Sequence, residues 1–337
     1  MRGTSLSILL AVVTLGCSAG IDPGSIARSQ GVNSVPAASS QSVGFATSDS
    51  SGDIEWSDFE WRDATIGGRT FERGAVLVPV RLKGNPKTFW MQLDTGSDVS
   101  VAYGIPLMQL ECPVRPVEGQ EGFVGLSGTL GSCPFDSLRF FMREDFGDSL
   151  SEKETRPVIG TIGQDFLVEK VLLLDFVKAR FYLADSTDGA LRRLLSRASF
   201  VDLERRNNKL FVPVQIGEVA SKDFFFDTGA SLFPITTSKQ MWQKLTGRKG
   251  TESSNVRVRV SSWGQEVVLI GAPAKGMLRF GELQVEHPMA YFDSTGSIDF
   301  SNWPFKTDGL LGNALFYHDF TVVLDLQQNR FGILKSE

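Results

Sequence analysis

The chain is poor in the residues that most often bind metals, with two histidines and three cysteines among 337 residues. This scarcity argues against a metal centre built from histidine and cysteine, and no cofactor is expected. The net charge of −5 provides no excess of positive charge for binding nucleic acid. Glycine and phenylalanine, by contrast, are abundant at 34 and 25 residues, which is typical of β-strands joined by tight turns.

The first 17 residues have the form of a secretory signal peptide. Met1-Arg2 precedes an apolar run, Leu6–Leu15, that is too short to span a membrane as a helix. The segment Thr14-Leu15-Gly16-Cys17 partly resembles a bacterial lipobox, which usually carries leucine where Thr14 stands. We therefore favour lipidation of Cys17 over an ordinary secretory signal with an incidental cysteine. A lipid on Cys17 would anchor the protein to a membrane, with its folded part in the periplasm or at the cell surface.

Residues 18–70 are expected to form a flexible tether and an entry segment, because 18–53 are rich in serine, glycine and alanine. In an oxidising compartment, Cys112 and Cys133 are the remaining pair of thiols. A disulfide between them would close a loop of about 20 residues and contribute on the order of 3 kcal/mol to stability. The alternative is a pair of buried thiols.

An internal repeat organises the rest of the chain. In each copy a Val-Pro-Val strand is followed by an apolar strand that ends in Asp-Thr-Gly, then by an apolar-apolar-Gly segment and a Leu-Asp segment. The matched ranges are 75–82 with 209–216, 94–96 with 227–229, 161–167 with 310–316, and 172–175 with 322–325. The repeat predicts two similar lobes, 71–185 and 205–337, joined by a linker, 186–204, that contains a short helix.

The two Asp-Thr-Gly motifs, in this paired setting, resemble those of the pepsin-like and retropepsin-like aspartic peptidases. They read Asp94-Thr95-Gly96-Ser97 and Asp227-Thr228-Gly229-Ala230. The segments Thr161-Ile162-Gly163 and Leu310-Leu311-Gly312 are similar to the family's hydrophobic-hydrophobic-Gly element. The resemblance covers both lobes of one chain. It implies an all-β protein with two similar, six-stranded-type β-barrel lobes of the acid-protease fold and a cleft between them.

The resemblance assigns Asp94 and Asp227 to a catalytic dyad. Two carboxyls held about 3 Å apart share one proton, because both cannot ionise easily at that distance. The pair then holds a base that activates water and an acid that protonates the peptide carbonyl. Thr95 and Thr228 are implied to hydrogen-bond across the lobe interface and to fix the two loops.

The residues that complete each motif shape the surroundings of the carboxyls. Gly96 and Gly229 leave room for the backbone to approach them. Ser97 has a hydroxyl that can donate to Asp94, whereas Ala230 has none, so hydrogen bonding favours Asp94 as the ionised partner. The alternative is that Ser97 only stabilises the turn.

A flap that closes over the cleft is also expected of this family. The glycine-rich stretch 118–128 is the best candidate, with Gly122, Phe123 and Gly125 near the tip of a hairpin. The stretch lacks the tyrosine of the pepsin flap, so Phe123 is either an apolar lid residue or a packing residue. In the second lobe, Trp263 marks either an equivalent hairpin tip or a packed surface aromatic.

Together these features predict an aspartic endopeptidase that acts on polypeptide substrates as a monomer. The retained Asp94 and Asp227 favour this interpretation over a non-catalytic binding lipoprotein that keeps the fold. A third interpretation, a processing peptidase dedicated to one partner protein, differs from the first only in specificity.

Overall fold

A computed structural model describes residues 54–66, 69–110, 114–151, 153–262, 265–280 and 283–336. Cys17, Cys112 and Trp263 therefore lie outside the described residues. Within the described ranges, no helix has the length and apolar character needed to cross a membrane.

The first half of the chain folds mainly into one curled sheet. Strands β1 to β11 span Ser57–Asp58, Glu60–Ile66, Arg69–Leu82, Phe89–Leu93, Val101–Tyr103, Arg115–Pro116, Phe123–Leu130, Cys133–Arg143, Val158–Ile162, Val171–Asp175 and Arg180–Ala184. Eight of these strands form the sheet, in the order β2-β3-β4-β9-β5-β8-β7-β6. The long strand β3 also pairs with β7, which curls the sheet back on itself as a barrel-like lobe.

The second half repeats this arrangement. Strands β12 to β24 span Ser199–Asp202, Glu204–Arg206, Lys209–Ile216, Val219–Asp227, Ile235–Thr237, Val256–Ser262, Gln265–Pro273, Leu278–Phe280, Leu283–Val285, Met289–Asp293, Gly309–Gly312, Phe320–Asp325 and Arg330–Lys335. Ten of them form a sheet in the order β17-β18-β21-β16-β22-β15-β14-β19-β20, with β13 paired to β14. As β3 pairs with β4 in the first half, the Val-Pro-Val strand β14 pairs with β15, which ends in the second aspartate.

A third sheet is shared by the two halves, in the order β1-β11-β10-β23-β24-β12. Its central pair, β10 and β23, consists of the two Leu-Asp segments of the repeat. They run antiparallel, with Leu173 opposite Val323, Leu172 opposite Leu324, and Leu174 opposite Val322. The register is therefore symmetric about its centre, and the two repeats are joined through equivalent strands.

Short helices connect the strands. Helices α1 to α4 span Gly104–Leu107, Gln164–Leu167, Gly189–Leu195 and Lys239–Thr246. Among the described residues, 3-10 turns span Phe300–Asn302 and Asn313–Leu315. Helix α3 is the predicted linking helix, and the Asp188 carboxylate caps it by accepting from the Leu191 N–H. Helix α4 was not predicted; Ser238 caps its start, Gly247 ends it at φ 67°, and Trp242 is its buried anchor.

The predicted all-β class with two similar barrel-like lobes is confirmed. The strand count is different from the predicted six per lobe, because the lobe sheets hold eight and ten strands. A further six strands lie in the shared sheet, whose central pairing joins segments about 150 residues apart in sequence. Such a pairing leaves no local pattern in the sequence.

Cys133 opens β8 and has a free thiol buried in the hydrophobic core. Cys133 therefore forms no disulfide in the structure, and Cys112, its predicted partner, lies outside the described residues. Burial raises the pKa of the Cys133 thiol, which keeps it uncharged and poorly reactive. Cys133 thus acts as a small packing residue of the first lobe.

Candidate active site

Each Asp-Thr-Gly loop begins where a buried strand ends, and a parallel strand supports it. Asp94 follows β4 and Asp227 ends β15, while β9 lies beside β4 and β22 beside β15. The Asp94 N–H donates to the Ile162 carbonyl at 3.0 Å, which ties the first loop to β9. A β-carbon at Gly312 would fall 2.1 Å from the Ala230 carbonyl oxygen, so only glycine permits this close approach. The apolar-apolar-Gly segments thus lie against the loops, as the resemblance implied.

The two loops are joined by four hydrogen bonds through buried threonines. Thr95 Oγ1 accepts from the Thr228 N–H at 3.0 Å and donates to the Phe226 carbonyl at 3.1 Å. Thr228 Oγ1 accepts from the Thr95 N–H at 2.9 Å and donates to the Leu93 carbonyl at 3.0 Å. This reciprocal arrangement fixes the position of each loop relative to the other, across the interface between the halves.

The Asp94 and Asp227 carboxyls meet at this interface, within hydrogen-bonding reach of each other. Asp94 Oδ1 accepts from the N–H groups of Gly96 at 2.9 Å and Ser97 at 3.1 Å, and Asp227 Oδ1 accepts from the Gly229 N–H at 2.8 Å. The Oδ2 atom of each carboxyl is buried and accepts no hydrogen bond from the other described residues. It can share a proton with the opposite carboxyl. A β-carbon on Gly96 would lie 2.6 Å from Asp227 Cγ, so this glycine is required where the loop meets the opposite carboxyl.

Burial is the largest influence on both carboxyls. It raises the pKa of Asp227 to about 6, although the Gly229 N–H acts in the opposite direction. Burial, and then the negative charge of Asp227, raises the pKa of Asp94 well above its usual range. Two adjacent carboxyls that both resist ionisation share a proton and titrate as a unit. The pair therefore becomes singly charged as the pH passes about 6.

The stability of the protein is expected to fall as this pair ionises. Because the folded pKa of Asp227 lies above its unfolded value near 3.9, the contribution of this carboxyl to stability is fully present below about pH 4 and is lost as the pH rises through about 6. The loss is on the order of 3 kcal/mol, and Asp227→Asn should remove it. Urea denaturation at several pH values between about 4 and 7 should show that the free energy of unfolding of Asp227→Asn increases relative to that of the wild type as the pH rises. A difference that stays constant over this range would contradict the expectation.

The Ser97 hydroxyl does not donate to Asp94. It donates instead to the Val99 carbonyl at 2.7 Å, and only the backbone N–H of Ser97 reaches the Asp94 carboxyl. The prediction that this hydroxyl makes Asp94 the ionised partner is therefore wrong, and the serine stabilises the turn. In the second loop, the Ala230 N–H donates to the Asp227 backbone carbonyl at 3.2 Å.

Two supporting amides were missed from the sequence. Gln164 Nε2 donates to the Thr95 carbonyl at 2.6 Å, and Asn313 Nδ2 donates to the Thr228 carbonyl at 2.7 Å. Both side chains are buried, and each follows its apolar-apolar-Gly segment directly. The repeat aligns these two positions and both hold a carboxamide, which was the available signal for an equivalent role.

The candidate flap is a hairpin whose described contacts lie within the first lobe. Strand β6 pairs with β7, which contains Gly125, and Gly122 in the intervening turn has φ 77°. Phe123 packs edge-on against Phe141, with 5.5 Å between ring centroids. Phe123 therefore has a packing role, and closure of this hairpin over a substrate stays a prediction. The corresponding candidate in the second lobe, Trp263, lies outside the described residues.

Both carboxyls are sealed from solvent in this structure, since Asp94 and Asp227 are 0% exposed. The β2–β3 hairpin of the first half reaches the second lobe, where Ile66 joins the apolar cluster that contains Ala230 and Phe233. Ala230 directly follows the second Asp-Thr-Gly motif. A substrate can therefore reach the carboxyls only when the β2–β3 hairpin moves away from the second lobe or the two lobes move apart.

No protein-family model and no curated protein matches the chain. Among solved structures, the chain is similar to the basic 7S globulin from soybean, with 9% sequence identity and a TM-score of 0.42. The match covers 84% of this chain and 97% of the globulin. Similarity at this level gives no information about activity, so any function has to be argued from the site itself.

Proposed function

We propose that the chain is an aspartic-type endopeptidase in which Asp94 and Asp227 form one shared-proton dyad. The proposal is carried by the meeting of two fully buried carboxyls, one from each repeat. Each has an oxygen, Oδ2, that accepts no hydrogen bond from the other residues that the structure describes. These two oxygens are the atoms that an attacking water and a peptide carbonyl would contact. The reciprocal bonds of Thr95 and Thr228 support the proposal, because they hold the two carboxyls in one fixed arrangement.

Hydrolysis by such a pair needs no other catalytic group. In the singly charged state, the ionised carboxylate takes a proton from water as the water oxygen attacks the peptide carbonyl carbon. The protonated carboxyl gives its proton to the carbonyl oxygen, which forms a gem-diol. The carboxyl that gained the water proton then protonates the amide nitrogen. One diol hydroxyl returns its proton to the other carboxylate as the C–N bond breaks, so the dyad again holds one proton.

The test is digestion of an unfolded protein by the purified full chain, between about pH 3 and 8. Because the dyad becomes singly charged as the pH passes about 6, we expect cleavage to increase through this region. Mass spectrometry of the fragments distinguishes internal cuts from the removal of terminal residues. Absence of cleavage at every pH would contradict the proposal.

The complete burial of the carboxyls favours a second candidate, a binding protein that keeps the fold without turnover. The two candidates are separated by following one peptide in both a binding assay and a cleavage assay. A peptide that binds and stays intact, with the same affinity for Asp94→Asn as for the wild type, would support the binding protein. Binding that is followed by cleavage in the wild type alone would support the peptidase.

We also propose that Cys17 is lipidated and anchors the protein to a membrane, with its lobes in the periplasm or at the cell surface. The proposal rests on the lipobox-like segment that ends at Cys17. In a bacterial host, a labelled fatty acid should be incorporated by the wild type and by Cys133→Ala, but lost completely in Cys17→Ser. A wild-type protein that carries no label and stays out of the membrane fraction would instead indicate an ordinary secretory signal.

A further inference from the structure

Lys209 is the first residue of β14, and only 2% of its side chain is exposed. An ammonium group is rarely buried unless it is paired and hydrogen-bonded, because the loss of its hydration is costly. The lysine precedes an apolar stretch, and nothing in the sequence distinguishes it from an exposed residue at the start of a strand. Its burial therefore calls for a partner elsewhere in the fold.

The Lys209 ammonium reaches from the second half of the chain to the first catalytic loop. It donates to the Gly96 carbonyl oxygen at 2.8 Å and forms an ion pair with Asp98. Gly96 is also the residue whose N–H donates to Asp94 and whose missing side chain makes room for the Asp227 carboxyl. Lys209 thus binds a peptide segment that contacts both carboxyls.

This charged pair has no charged counterpart on the other side of the repeat. Lys209 aligns with Ala75. Asp98, four residues after Asp94, aligns with Ser231, four residues after Asp227. The threonines that join the loops and the amides that support them are matched on both sides, as described above. The pair of Lys209 and Asp98 therefore gives the first loop a charged contact that the aligned positions, Ala75 and Ser231, do not supply to the second loop.

We propose that Lys209 is a positioning residue that fixes the first catalytic loop through the Gly96 carbonyl and sets the pH range in which the dyad carries one negative charge. Only its effect on catalysis rests on the proposed function. The titration of the two carboxyls is a property of the fold, and it exists whether or not the protein cleaves peptides.

The ionisable groups around the dyad come from both halves of the chain. Burial raises the pKa of Asp94 and of Asp227, and the Lys209 ammonium lowers both. Asp98 offsets part of the lysine charge from its position on the first loop. Burial raises the pKa of Tyr103 to about 12, so this neighbour stays neutral. Removal of the ammonium should therefore make the dyad harder to ionise, and removal of its partner should make it easier.

The test measures the titration of the dyad directly. Aspartate carboxyl carbons of the full chain are labelled with 13C and titrated by NMR, and the dyad signals are assigned by their loss in Asp94→Asn and Asp227→Asn. Lys209→Met should move the titration to higher pH by about one unit or more. Asp98→Asn, which keeps the ammonium without its partner, should move it to lower pH. Lys222→Met, the same change at an exposed position of the same lobe, should leave it unchanged.

Further variants separate the charge from the hydrogen bond. Lys209→Arg keeps a cation and should restore most of the wild-type titration range. The double variant Lys209→Met with Asp98→Asn removes both charges, and should shift the titration less than Lys209→Met alone. Where the wild type cleaves peptides, the double variant should still lower kcat, because the Gly96 carbonyl has lost its donor.

Each result supports or overturns the inference. If Lys209→Met folds and its dyad titrates as in the wild type, the inference is overturned. If Lys209→Met does not fold, an unchanged dyad titration in Asp98→Asn overturns the inference instead. Opposite shifts in these two variants support it. Opposite shifts in a protein that cleaves no substrate support the role of Lys209 and contradict the peptidase proposal. Cleavage by the wild type, together with an unchanged dyad titration in both variants, would support the peptidase proposal and contradict the role of Lys209.

Discussion

Asp94→Asn and Asp227→Asn are each expected to lower kcat/KM for an unfolded protein substrate by about 10³-fold. Asparagine has the shape of aspartate and can still accept the N–H bonds of Gly96 and Gly229 through its amide oxygen. It cannot ionise and cannot hold the shared proton. Because one carboxyl supplies the base and the other the acid, loss of either interrupts both proton transfers. The measurement is the initial cleavage rate at the pH of the wild-type maximum.

Asp175→Asn is the matched control. Asp175 is also a buried aspartate, but it lies on β10 in the shared sheet and accepts from Arg180 Nε at 2.9 Å. Its substitution should reduce the free energy of unfolding and leave kcat/KM of the folded protein unchanged. A loss of activity in Asp175→Asn equal to that in the dyad variants would point to damage of the fold. Full activity in both dyad variants would exclude the two-carboxyl mechanism.

The position of the loops could be predicted because its signals are local in the sequence. Each Asp-Thr-Gly directly follows an apolar strand, and Gly163 and Gly312 follow Thr161-Ile162 and Leu310-Leu311 at matching places in the repeat. A duplicated pattern of this kind constrains both halves at once. The sequence thus predicted which residues meet at the interface, although it contains no single long motif.

Contacts between distant segments could not be predicted in the same way. Lys209 and Asp98 are 111 residues apart, and they meet where the two halves of the chain come together. Leu173 and Val323 pair in the shared sheet, yet a strand that joins its own lobe would show the same apolar run. Hydrophobic pattern indicates that a strand is buried, and leaves its neighbour unspecified.

Ser97 illustrates a different limit, the choice of a hydroxyl between acceptors. A serine side chain commonly bonds to the backbone within a few residues, and the Val99 carbonyl lies two residues ahead. This local bond competes with one to the Asp94 carboxyl. Residue type alone does not decide between the two acceptors, so the predicted charge state depended on geometry that only the fold provides.

Thr95→Val is expected to lower the free energy of unfolding by about 3 kcal/mol or more. Valine keeps the shape of threonine, but it leaves the Thr228 N–H and the Phe226 carbonyl buried without partners. Each unpaired buried group costs about 1–3 kcal/mol, from a total stability that is typically about 5–15 kcal/mol. Thr228→Val should have a similar effect by the symmetry of the bonds. The double variant should cost less than the sum, since either change loosens the same contact between the loops.

Thr236→Val makes the same change where the hydroxyl has no partner. Thr236 lies on β16, fully buried, and its Oγ1 forms no hydrogen bond. Because an unpaired buried hydroxyl is itself a cost, its removal should leave the free energy of unfolding unchanged or higher. Urea denaturation of the variants at one pH gives the comparison. A loss at Thr236 as large as that at Thr95 would assign the cost to valine packing. A small loss at both would mean that other contacts between the halves, such as the shared sheet and Lys209, hold the two loops together.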